Sequence, residues 1–263
     1  MGVMNVTPDS FSDGGRHLDP AAAIEHGQRL VEQGADLLDI GGESTRPGAQ
    51  PLPLEEELCR VLPVVEALSD LGVPVSIDTY KPATMRAALA AGASMINDVN
   101  ALQAPGALDV VRNSDCGVCL MHMQGNPQTM QVAPEYRDVV AEVREFLARR
   151  VAACEAAGIA RDRLVVDPGF GFGKKTAHNL ELLRHLDVIA ALGLPVLVGL
   201  SRKSTLGKIT GKPVTQRVSE SIAAALLAVQ RGASIVRVHD VDETRDALLV
   251  LAAIVDDAAR FDA

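Results

Sequence analysis

The sequence has no apolar stretch long enough to cross a membrane. Its longest strongly apolar stretches, such as Ala247 to Val255, are far short of the roughly 20 residues that a spanning helix needs. No basic region precedes the first apolar segment, so we expect no signal peptide. The formal net charge of −9 argues against a nucleic-acid-binding surface, because Lys and Arg contacts to phosphate dominate that affinity. These absences predict a soluble cytoplasmic protein.

The sequence also lacks the features at which a chain divides into domains. No charge block, low-complexity tract or Ser/Gly linker interrupts its 263 residues, and 48% of them are hydrophobic, which is ample material for a core. Closed α/β barrels commonly use about 250 residues as one unit. We therefore expect residues 1–263 to form a single domain.

Cysteine is scarce. Among the four cysteines, Cys116 and Cys119 form a C-x-x-C pair, but a second pair that would complete a zinc site is absent from the sequence. The pair leads into the apolar run Val118 to Met121, where an extended backbone points positions i and i+3 to opposite faces. We expect two small apolar residues in a strand rather than a redox or zinc site.

A nucleotide phosphate motif is missing too, although the glycine-rich turn DPGFGFGKK, Asp167 to Lys175, suggests one. In G-x-x-x-x-G-K-[ST] the first glycine would fall on Pro168 and the hydroxyl residue on Lys175. In G-x-G-x-x-G the third glycine would fall on Lys174. The turn, and the Asp that opens it, therefore need another explanation.

The sequence does contain a regular alternation of short apolar runs with longer amphipathic ones. Apolar residues recur at helical spacing in the amphipathic segments, and acidic residues open two of them, which suits the positive end of a helix dipole. The examples are Leu54, Leu58, Val61, Val65 and Leu68; Val143, Leu147, Val151 and Cys154; Glu55, Glu56 and Glu57; and Asp242 and Glu243.

The short apolar runs give eight candidate strands. They are Val3 to Val6, Asp36 to Ile40, Val73 to Ile77, Ser94 to Ile96, Val118 to Met121, Leu164 to Val166, Pro195 to Val198 and Ile235 to Val238. A helix after every strand implies parallel pairing. Eight such units in about 250 residues predict an α/β fold, a single (β/α)8 TIM barrel, rather than an open doubly wound sheet.

Polar residues cluster where these candidate strands end: Asn5, Asp39, Asp78, Asn97, His122, Asp167, Arg237 and His239. In VPVSIDT, Val75 and Ile77 share one strand face while Ser76 and Asp78 share the other, and SIVRVHD alternates in the same way. The apolar face can pack on the helices. The polar face is then left to line a pocket at the C-terminal mouth of the barrel, where barrel enzymes place their active sites.

This predicted pocket has two chemical halves. Asp78, Asn97 and Asp167 suit the donor-rich edge of an amino-pyrimidine ring, where a carboxylate accepts two parallel N–H bonds. Arg237 and His239, with Asn5 across the barrel closure, suit an anionic group such as phosphate, or its metal.

Two long segments could cover the barrel mouth. MNVTPDSFSDGGRHLDP and GGESTRPGAQPLP each follow the end of a candidate strand and are rich in turn-forming residues. Both are roughly double the 2 to 6 residues typical of such connections. We expect them to act as lid or binding loops.

Eight motifs, in this order, resemble the dihydropteroate synthase family of folate biosynthesis: MGVMNVTPDSFSDGG, GGESTRPG, SIDTYKP, MINDV, LMHMQGNP, DPGFGFGK, GLSRKS and RVHDV. The match spans nearly the whole chain. The resemblance implies condensation of 6-hydroxymethyl-7,8-dihydropterin diphosphate with 4-aminobenzoate, which gives 7,8-dihydropteroate and diphosphate with Mg²⁺ assistance. It also implies a homodimer.

The resemblance assigns site residues to four groups. The pterin ring would be bound by Asp78, Asn97, Met121, Asp167, Gly199 and Lys203. The aminobenzoate would be bound by Phe11, Thr45, Arg46, Pro47, Phe172, Ser201 and Lys203. The diphosphate would be bound by Asn5, Arg237 and His239, and the metal by Asn5 with help from Asp13.

The implied chemistry needs no nucleophilic side chain. An aromatic amine is already nucleophilic, and the dihydropterin can delocalise positive charge at its exocyclic methylene as diphosphate leaves. We therefore expect a dissociative substitution in which Asp78 and Asp167 stabilise the cation. Arg237 and His239, with Mg²⁺, would stabilise the departing anion. Lys203 completes the expected catalytic set.

Two alternatives stay open from sequence. One is a methyltetrahydrofolate-dependent methyltransferase with a similar pterin-binding barrel, and the other is a non-catalytic pterin-binding paralogue. Family members also usually carry a short segment before the first strand motif that closes the barrel bottom, whereas the motif here starts at residue 1. Either preceding residues are missing or the bottom is open.

Overall fold

A computed structural model describes residues 1–7, 20–44, 48–126 and 128–255 of the chain. A strand followed by one or more helices repeats eight times along them. The strands are β1 Gly2–Asn5, β2 Leu38–Gly41, β3 Val75–Asp78, β4 Met95–Asp98, β5 Gly117–Met121, β6 Leu164–Asp167, β7 Leu197–Val198 and β8 Ile235–Val236. The helices are α1 Pro20–Glu32, α2 Leu54–Leu68, α3 Pro82–Ala90, α4 Ala107–Arg112, α5 Val139–Ala156, α6 Thr176–Arg184, α7 Leu186–Ala190, α8 Ser204–Thr210, α9 Val218–Gln230 and α10 Val241–Val255.

The eight strands are parallel and form a closed ring. Strands β1 to β6 pair in chain order, and β7 pairs with β8. A bridge between Val166 and Val196 joins β6 to the start of β7, and a bridge between Gly2 and Val238 joins the end of β8 to β1. The Val3 N–H donates to Val238 O at 3.0 Å across that closure. The predicted (β/α)8 TIM barrel is therefore confirmed.

The barrel wall is apolar on its outer face, where it packs on the helices. One register row of outward side chains, Met4, Ile40, Ile77, Ile96 and Val118, belongs to the same buried cluster as the inner faces of the helices. The lower interior is filled by a second cluster, made of Met1, Met95, Cys119 and Leu197 with Leu37, Val165 and Ile235 packed against it. Apolar groups therefore fill the barrel at the N-terminal ends of the strands, its lower end. The polar side chains are left at the C-terminal ends, its upper end.

Helix α5 buries Val143, Leu147, Val151 and Cys154, the face that its periodicity predicts. Helix α2 departs from expectation at two positions. Leu54 is 39% exposed, whereas Glu57 is only 1% exposed. The Glu57 carboxylate accepts from Thr79 Oγ1 at 2.7 Å and lies 2.8 Å from Lys81 Nζ. Glu57 is thus a buried, paired acid rather than a surface group placed for the helix dipole.

Cys116 and Cys119 are buried free thiols. Cys119 lies in β5, as predicted, whereas Cys116 directly precedes that strand. Asp242 and Glu243 occupy the first turn of α10, also as predicted. Across the described ranges, no helix is both long and apolar enough to cross a membrane.

Candidate active site

Arg237 lies at the centre of the polar layer in the upper barrel. Its backbone N–H donates to Val198 O at 2.9 Å, which continues the β7–β8 pairing. Its Nε lies 2.5 Å from Asp39 Oδ2, and its Nη2 lies 3.0 Å from Asp78 Oδ2. Asn97 Nδ2 donates to the same Asp39 oxygen at 3.1 Å. The guanidinium therefore joins two carboxylates across the barrel interior with charge-assisted hydrogen bonds.

Asp78, the last residue of β3, has unused acceptor capacity. Burial, helped by the nearby Asp39 carboxylate, raises its pKa to about 7 against the opposing effect of Arg237. Three atoms of the upper barrel, Asp78 Oδ1, Asp39 Oδ1 and Ser76 Oγ, are among the described side-chain atoms that are buried without a hydrogen-bond partner. Buried polar atoms are normally paired, so these atoms are where donors of a bound ligand would be satisfied.

Three more predicted ring-binding side chains lie on the strands that follow β3 around the barrel: Asn97 on β4, Met121 on β5 and Asp167 on β6. Asn97 is aligned with Asp78 in the β3–β4 register, and Met121 is aligned with Asp167 in the β5–β6 register. Asn97, Met121 and Asp167 are between 4% and 6% exposed. Burial raises the pKa of Asp167, while the positive charge of Lys203 lowers it. The structure therefore brings the predicted acceptors of the ring half together.

The glycine-rich turn after β6 is built on left-handed backbone. Gly169, Gly171 and Gly173 have φ values of +68°, +83° and +62°, a region that side chains with a Cβ rarely adopt. A Cβ on Gly169 would lie 1.9 Å from His122 O, and one on Gly173 would lie 2.6 Å from Gln124 O. The glycines thus let the turn close tightly against the segment that follows β5. Asp167 Oδ1 accepts from the Gly169 N–H at 2.7 Å, which fixes the carboxylate at the start of the turn.

The segment between β5 and α5 covers this turn. Tyr136 Oη donates to Gly173 O at 2.8 Å, and Gln131 Nε2 donates to Gly171 O at 2.6 Å. No local pattern predicts this covering role, because the two donors are far from Gly171 and Gly173 along the chain.

Lys203 approaches the same turn from the loop after β7, the strand next to β6 in the barrel. Its Nζ donates to Phe170 O and lies 4.8 Å from the centre of the Phe172 ring. Burial lowers the pKa of Lys203 to about 8, while Asp167 raises it. A Cβ on Gly199 would lie 3.9 Å from Lys203 Nζ and 3.9 Å from Arg237 Cβ, so the glycine leaves space between these two cations.

Ser201 and His239 form a contact between the loops that follow β7 and β8. Ser201 Oγ lies 3.0 Å from His239 Nδ1, and the His239 N–H donates to Ser201 Oγ at 3.2 Å. Asn5 ends β1, the strand next to β8 in the closed barrel, and is half-buried. The structure therefore places Ser201 with His239, the residue predicted for the diphosphate, although the resemblance assigns Ser201 to the aminobenzoate.

Five of the predicted site residues lie outside the described residues: Phe11, Asp13, Thr45, Arg46 and Pro47. The two ends of the second long loop are described. Lys81 Nζ lies 2.5 Å from Glu43 Oε2, before residues 45–47, and 2.5 Å from Leu52 O, after them. One ammonium group thus binds both ends of this connection.

Two residues at the site received no role from the sequence. The sequence shows Asp39 only as a polar residue at a strand end, yet it is fully buried and bound by Arg237. Its position between Leu38 and Ile40 could have shown that it faces inward. Lys174 is 3% exposed and packed inside the glycine-rich turn. No sequence signal distinguishes it from its exposed neighbour Lys175.

Comparison with known proteins assigns the family. Residues 1–239 match the family model described as pterin binding enzyme. Dihydropteroate synthase of Escherichia coli (strain K12) is 50% identical over 254 residues, which cover 96% of this chain and 90% of that protein. The structure of Xanthomonas albilineans dihydropteroate synthase with 4-aminobenzoic acid superposes with a TM-score of 0.93 at 58% identity, covering 98% of this chain and 93% of that one.

A second structure of the Xanthomonas albilineans dihydropteroate synthase, in complex with 7,8-dihydropteroate, gives a TM-score of 0.89 at 55% identity, covering 98% of this chain and 94% of that one. The sequence match, the structural match and the order of the eight motifs agree over almost the full length. The chain belongs to the dihydropteroate synthase family of pterin-binding enzymes.

Proposed function

We propose that this chain is a transferase that condenses 6-hydroxymethyl-7,8-dihydropterin diphosphate with 4-aminobenzoate in folate biosynthesis, giving 7,8-dihydropteroate and diphosphate. Membership of the family supports this activity, as do the Xanthomonas albilineans structures with 4-aminobenzoic acid and with 7,8-dihydropteroate. The observation that carries the proposal is the convergence of Asp78, Asn97 and Asp167 on one end of the barrel, beside the cations of Arg237 and Lys203.

The pterin ring would bind between the carboxylates on β3 and β6. Asp78 has a buried oxygen without a partner in the described structure, and Asp167 lies at the start of the glycine-rich turn. Carboxylates accept the paired N–H donors of an amino-pyrimidine edge, and the Asn97 side chain offers both a donor and an acceptor. Met121 and Gly199 would line the ring site, and the Lys203 ammonium would donate to it.

The proposed reaction is a dissociative substitution. The bond between the exocyclic methylene carbon and the diphosphate oxygen breaks, and its electron pair leaves with the diphosphate. The amine nitrogen of 4-aminobenzoate then forms the new C–N bond and releases a proton. Asp78 and Asp167 stabilise the positive charge on the ring system, while Arg237 and His239 stabilise the departing anion together with Asn5. Arg237 is already hydrogen-bonded to Asp78, and Asp167 is already fixed by the Gly169 N–H.

The aminobenzoate would bind beside Lys203 and Phe172. An aromatic ring and a cation 4.8 Å apart suit a flat aromatic amine that carries a carboxylate. Ser201 extends this side of the pocket. Phe11, Thr45, Arg46 and Pro47 belong to the same proposed group.

Mg²⁺ would bind through Asn5 and the diphosphate oxygens, with Asp13 as a further ligand. Within the ranges that the structure covers, no cluster of three or more His, Cys, Asp or Glu side chains could hold a metal ion. The proposed ligands, Asn5, Asp13 and the diphosphate oxygens, fit Mg²⁺, which usually takes one or two protein oxygens together with water and substrate phosphates. When bound, the ion would neutralise negative charge on the leaving diphosphate.

A homodimer would bury an exposed apolar face on α9 and α10. Leu227, Leu249, Val250 and Ile254 are between 42% and 76% exposed, and large apolar side chains grouped in this way are typical of protein interfaces. Sedimentation equilibrium tests the assignment, since Leu249→Asp combined with Val250→Asp should give a monomer if these helices form the interface.

The activity is tested by following diphosphate release and dihydropteroate formation with Mg²⁺ and dihydropterin diphosphate, with and without 4-aminobenzoate. Stoichiometric formation of both products, dependent on 4-aminobenzoate, supports the proposed synthase. Tight pterin binding without dihydropteroate would instead favour the non-catalytic paralogue or the methyltransferase, and a methyl-transfer assay separates those two.

A further inference from the structure

Lys174 is buried, which is rare for a lysine. Its side chain is 3% exposed, inside the turn between β6 and α6, whereas the adjacent Lys175 is exposed. Lysine is almost never fully buried unless its charge is paired or its N–H groups are bound. The turn therefore encloses the ammonium group of Lys174, which the reaction itself does not use. Burial lowers the pKa of this group, and the Asp167 carboxylate raises it.

Three acceptors surround this ammonium at short distance. Lys174 Nζ lies 2.9 Å from Gly169 O, 3.0 Å from Phe172 O and 2.8 Å from His122 Nδ1. A fourth acceptor, His122 O, lies at 3.3 Å. An ammonium has three N–H donors, so the three shorter contacts satisfy it. Burial, together with the charge of Lys174, lowers the pKa of His122 to about 3, so the imidazole is neutral and can accept at Nδ1.

These contacts join two parts of the barrel mouth. Gly169 and Phe172 belong to the turn, while His122 follows β5 and donates its backbone N–H to Asp167 O at 2.9 Å. The carbonyl groups of Gly169 and Phe172 point at Lys174, whereas that of Phe170 accepts from Lys203. Two lysines thus bind opposite sides of one turn.

We propose that Lys174 is the positioning residue of this turn: it holds Gly169, Phe172 and His122 so that Asp167 faces the pterin ring and Phe172 faces Lys203. The inference rests on the proposed function, because it assumes that the turn presents Asp167 to a pterin. Glycine loses more conformational freedom on folding than any other residue, so a turn with three glycines needs internal contacts to keep one conformation. Lys174 does not act on the reacting atoms; it acts through Asp167 and Phe172.

The test compares Lys174→Met with two matched controls. Lys175→Met makes the same change one residue away on the exposed side, and Val64→Ala opens a cavity in α2, remote from the turn, to lower stability alone. For each protein, calorimetry gives the Kd for 6-hydroxymethyl-7,8-dihydropterin diphosphate with Mg²⁺, and circular dichroism gives the melting temperature.

Folded Lys174→Met is expected to bind the pterin diphosphate about tenfold more weakly or worse, since loss of the buried contacts releases the turn. Lys175→Met and Val64→Ala should stay within about twofold of the unmodified protein, even though Val64→Ala melts lower. A folded Lys174→Met protein with an unchanged Kd would overturn the proposal, as would an equal loss of affinity in Val64→Ala.

If Lys174→Met does not fold, the positioning role is tested with His122→Leu. This change removes one of the three short acceptors and leaves both carbonyl contacts, so the Kd should rise in the same direction but less. An unchanged Kd in His122→Leu would contradict the positioning role. Failure of the proposed function is distinguishable, because the unmodified protein would then form no dihydropteroate whatever the variants do.

Discussion

Arg237 Nη2 lies 3.0 Å from Asp78 Oδ2, so a residue assigned to the diphosphate is hydrogen-bonded to a residue assigned to the pterin ring. The sequence places these residues in separate halves of the pocket. In the folded chain a single network, completed by Asp39, connects the two halves. In the proposed reaction, positive charge develops on one side of this network and negative charge leaves on the other.

Removal of Arg237 should destabilise the fold strongly. Arg237→Met leaves the carboxylates of Asp39 and Asp78 buried without their cation, and breaking a buried pair in this way costs about 3–5 kcal/mol. Chemical denaturation at neutral pH measures the loss. Arg149→Met is the matched control, because Arg149 pairs with Glu145 on the exposed surface and should cost under about 1 kcal/mol. Equal losses in the two variants would show that Arg237 does not neutralise buried charge.

The stability of the protein should fall as pH rises towards neutrality, in part because of Asp78. Burial raises the pKa of Asp78 from 3.8 to about 7. Between these values the folded protein holds a proton that the unfolded chain has released, so the free energy of unfolding declines with pH and levels off above about 7.

Asp78→Asn removes the contribution of Asp78 to this pH dependence. The fall in the free energy of unfolding, measured by denaturation at a series of pH values, should therefore be shallower. Asp98, whose pKa is raised by burial to about 6, contributes a decline of the same sign in both proteins, so the difference between them reports mainly on Asp78. Identical pH dependence in the two proteins would contradict the raised pKa of Asp78.

Two glycines in one turn should respond differently to alanine. Gly169 and Gly171 both have positive φ, so alanine at either position carries a similar left-handed strain of roughly 1–2 kcal/mol. A Cβ on Gly169 would also lie 1.9 Å from His122 O, whereas the nearest atom to a Cβ on Gly171 is Lys203 Cδ, at 3.4 Å. Gly169→Ala should therefore lose much more stability and pterin affinity. Equal losses, measured by denaturation and calorimetry, would show that the close approach is not a constraint.

The fold was predictable because its signals are local. Apolar runs, helical spacing and polar strand ends predict the eight strands, the buried face of α5 and the inward orientation of Asp78. The environments of individual charged residues were not predictable. Lys174 and Lys175 are identical neighbours, and the difference between them depends on His122, which is 52 residues away from Lys174.

Asp39 and Glu57 illustrate the same limit. Glu57 looks like one of three equivalent acids at a helix start, and only the position of Thr79 and Lys81 makes it a buried pair. Asp39 acquires its role from Arg237, 198 residues away. Asp39 and Arg237 meet only because the barrel closes, and no local sequence pattern predicts such a contact.

The contact of Ser201 with His239 gives a prediction about substrate specificity. Ser201→Ala removes the hydroxyl that lies 3.0 Å from His239 Nδ1. If Ser201 acts by orienting His239, the KM for dihydropterin diphosphate should rise several-fold, by about 1 kcal/mol of binding, with little change in the KM for 4-aminobenzoate. Steady-state kinetics with each substrate varied in turn measures both. A rise confined to 4-aminobenzoate would instead assign Ser201 to that substrate directly.

The most direct measurement of the central claim is dihydropteroate formation by the unmodified protein and by Asp78→Asn under the same conditions, with circular dichroism to verify folding. The account predicts product in stoichiometric amount with diphosphate from the unmodified protein, and a loss of about tenfold to a hundredfold in kcat/KM for folded Asp78→Asn, since a buried hydrogen bond to charge is removed. Near-normal turnover by Asp78→Asn would contradict the role of this carboxylate, and no product from either protein would contradict the proposed activity.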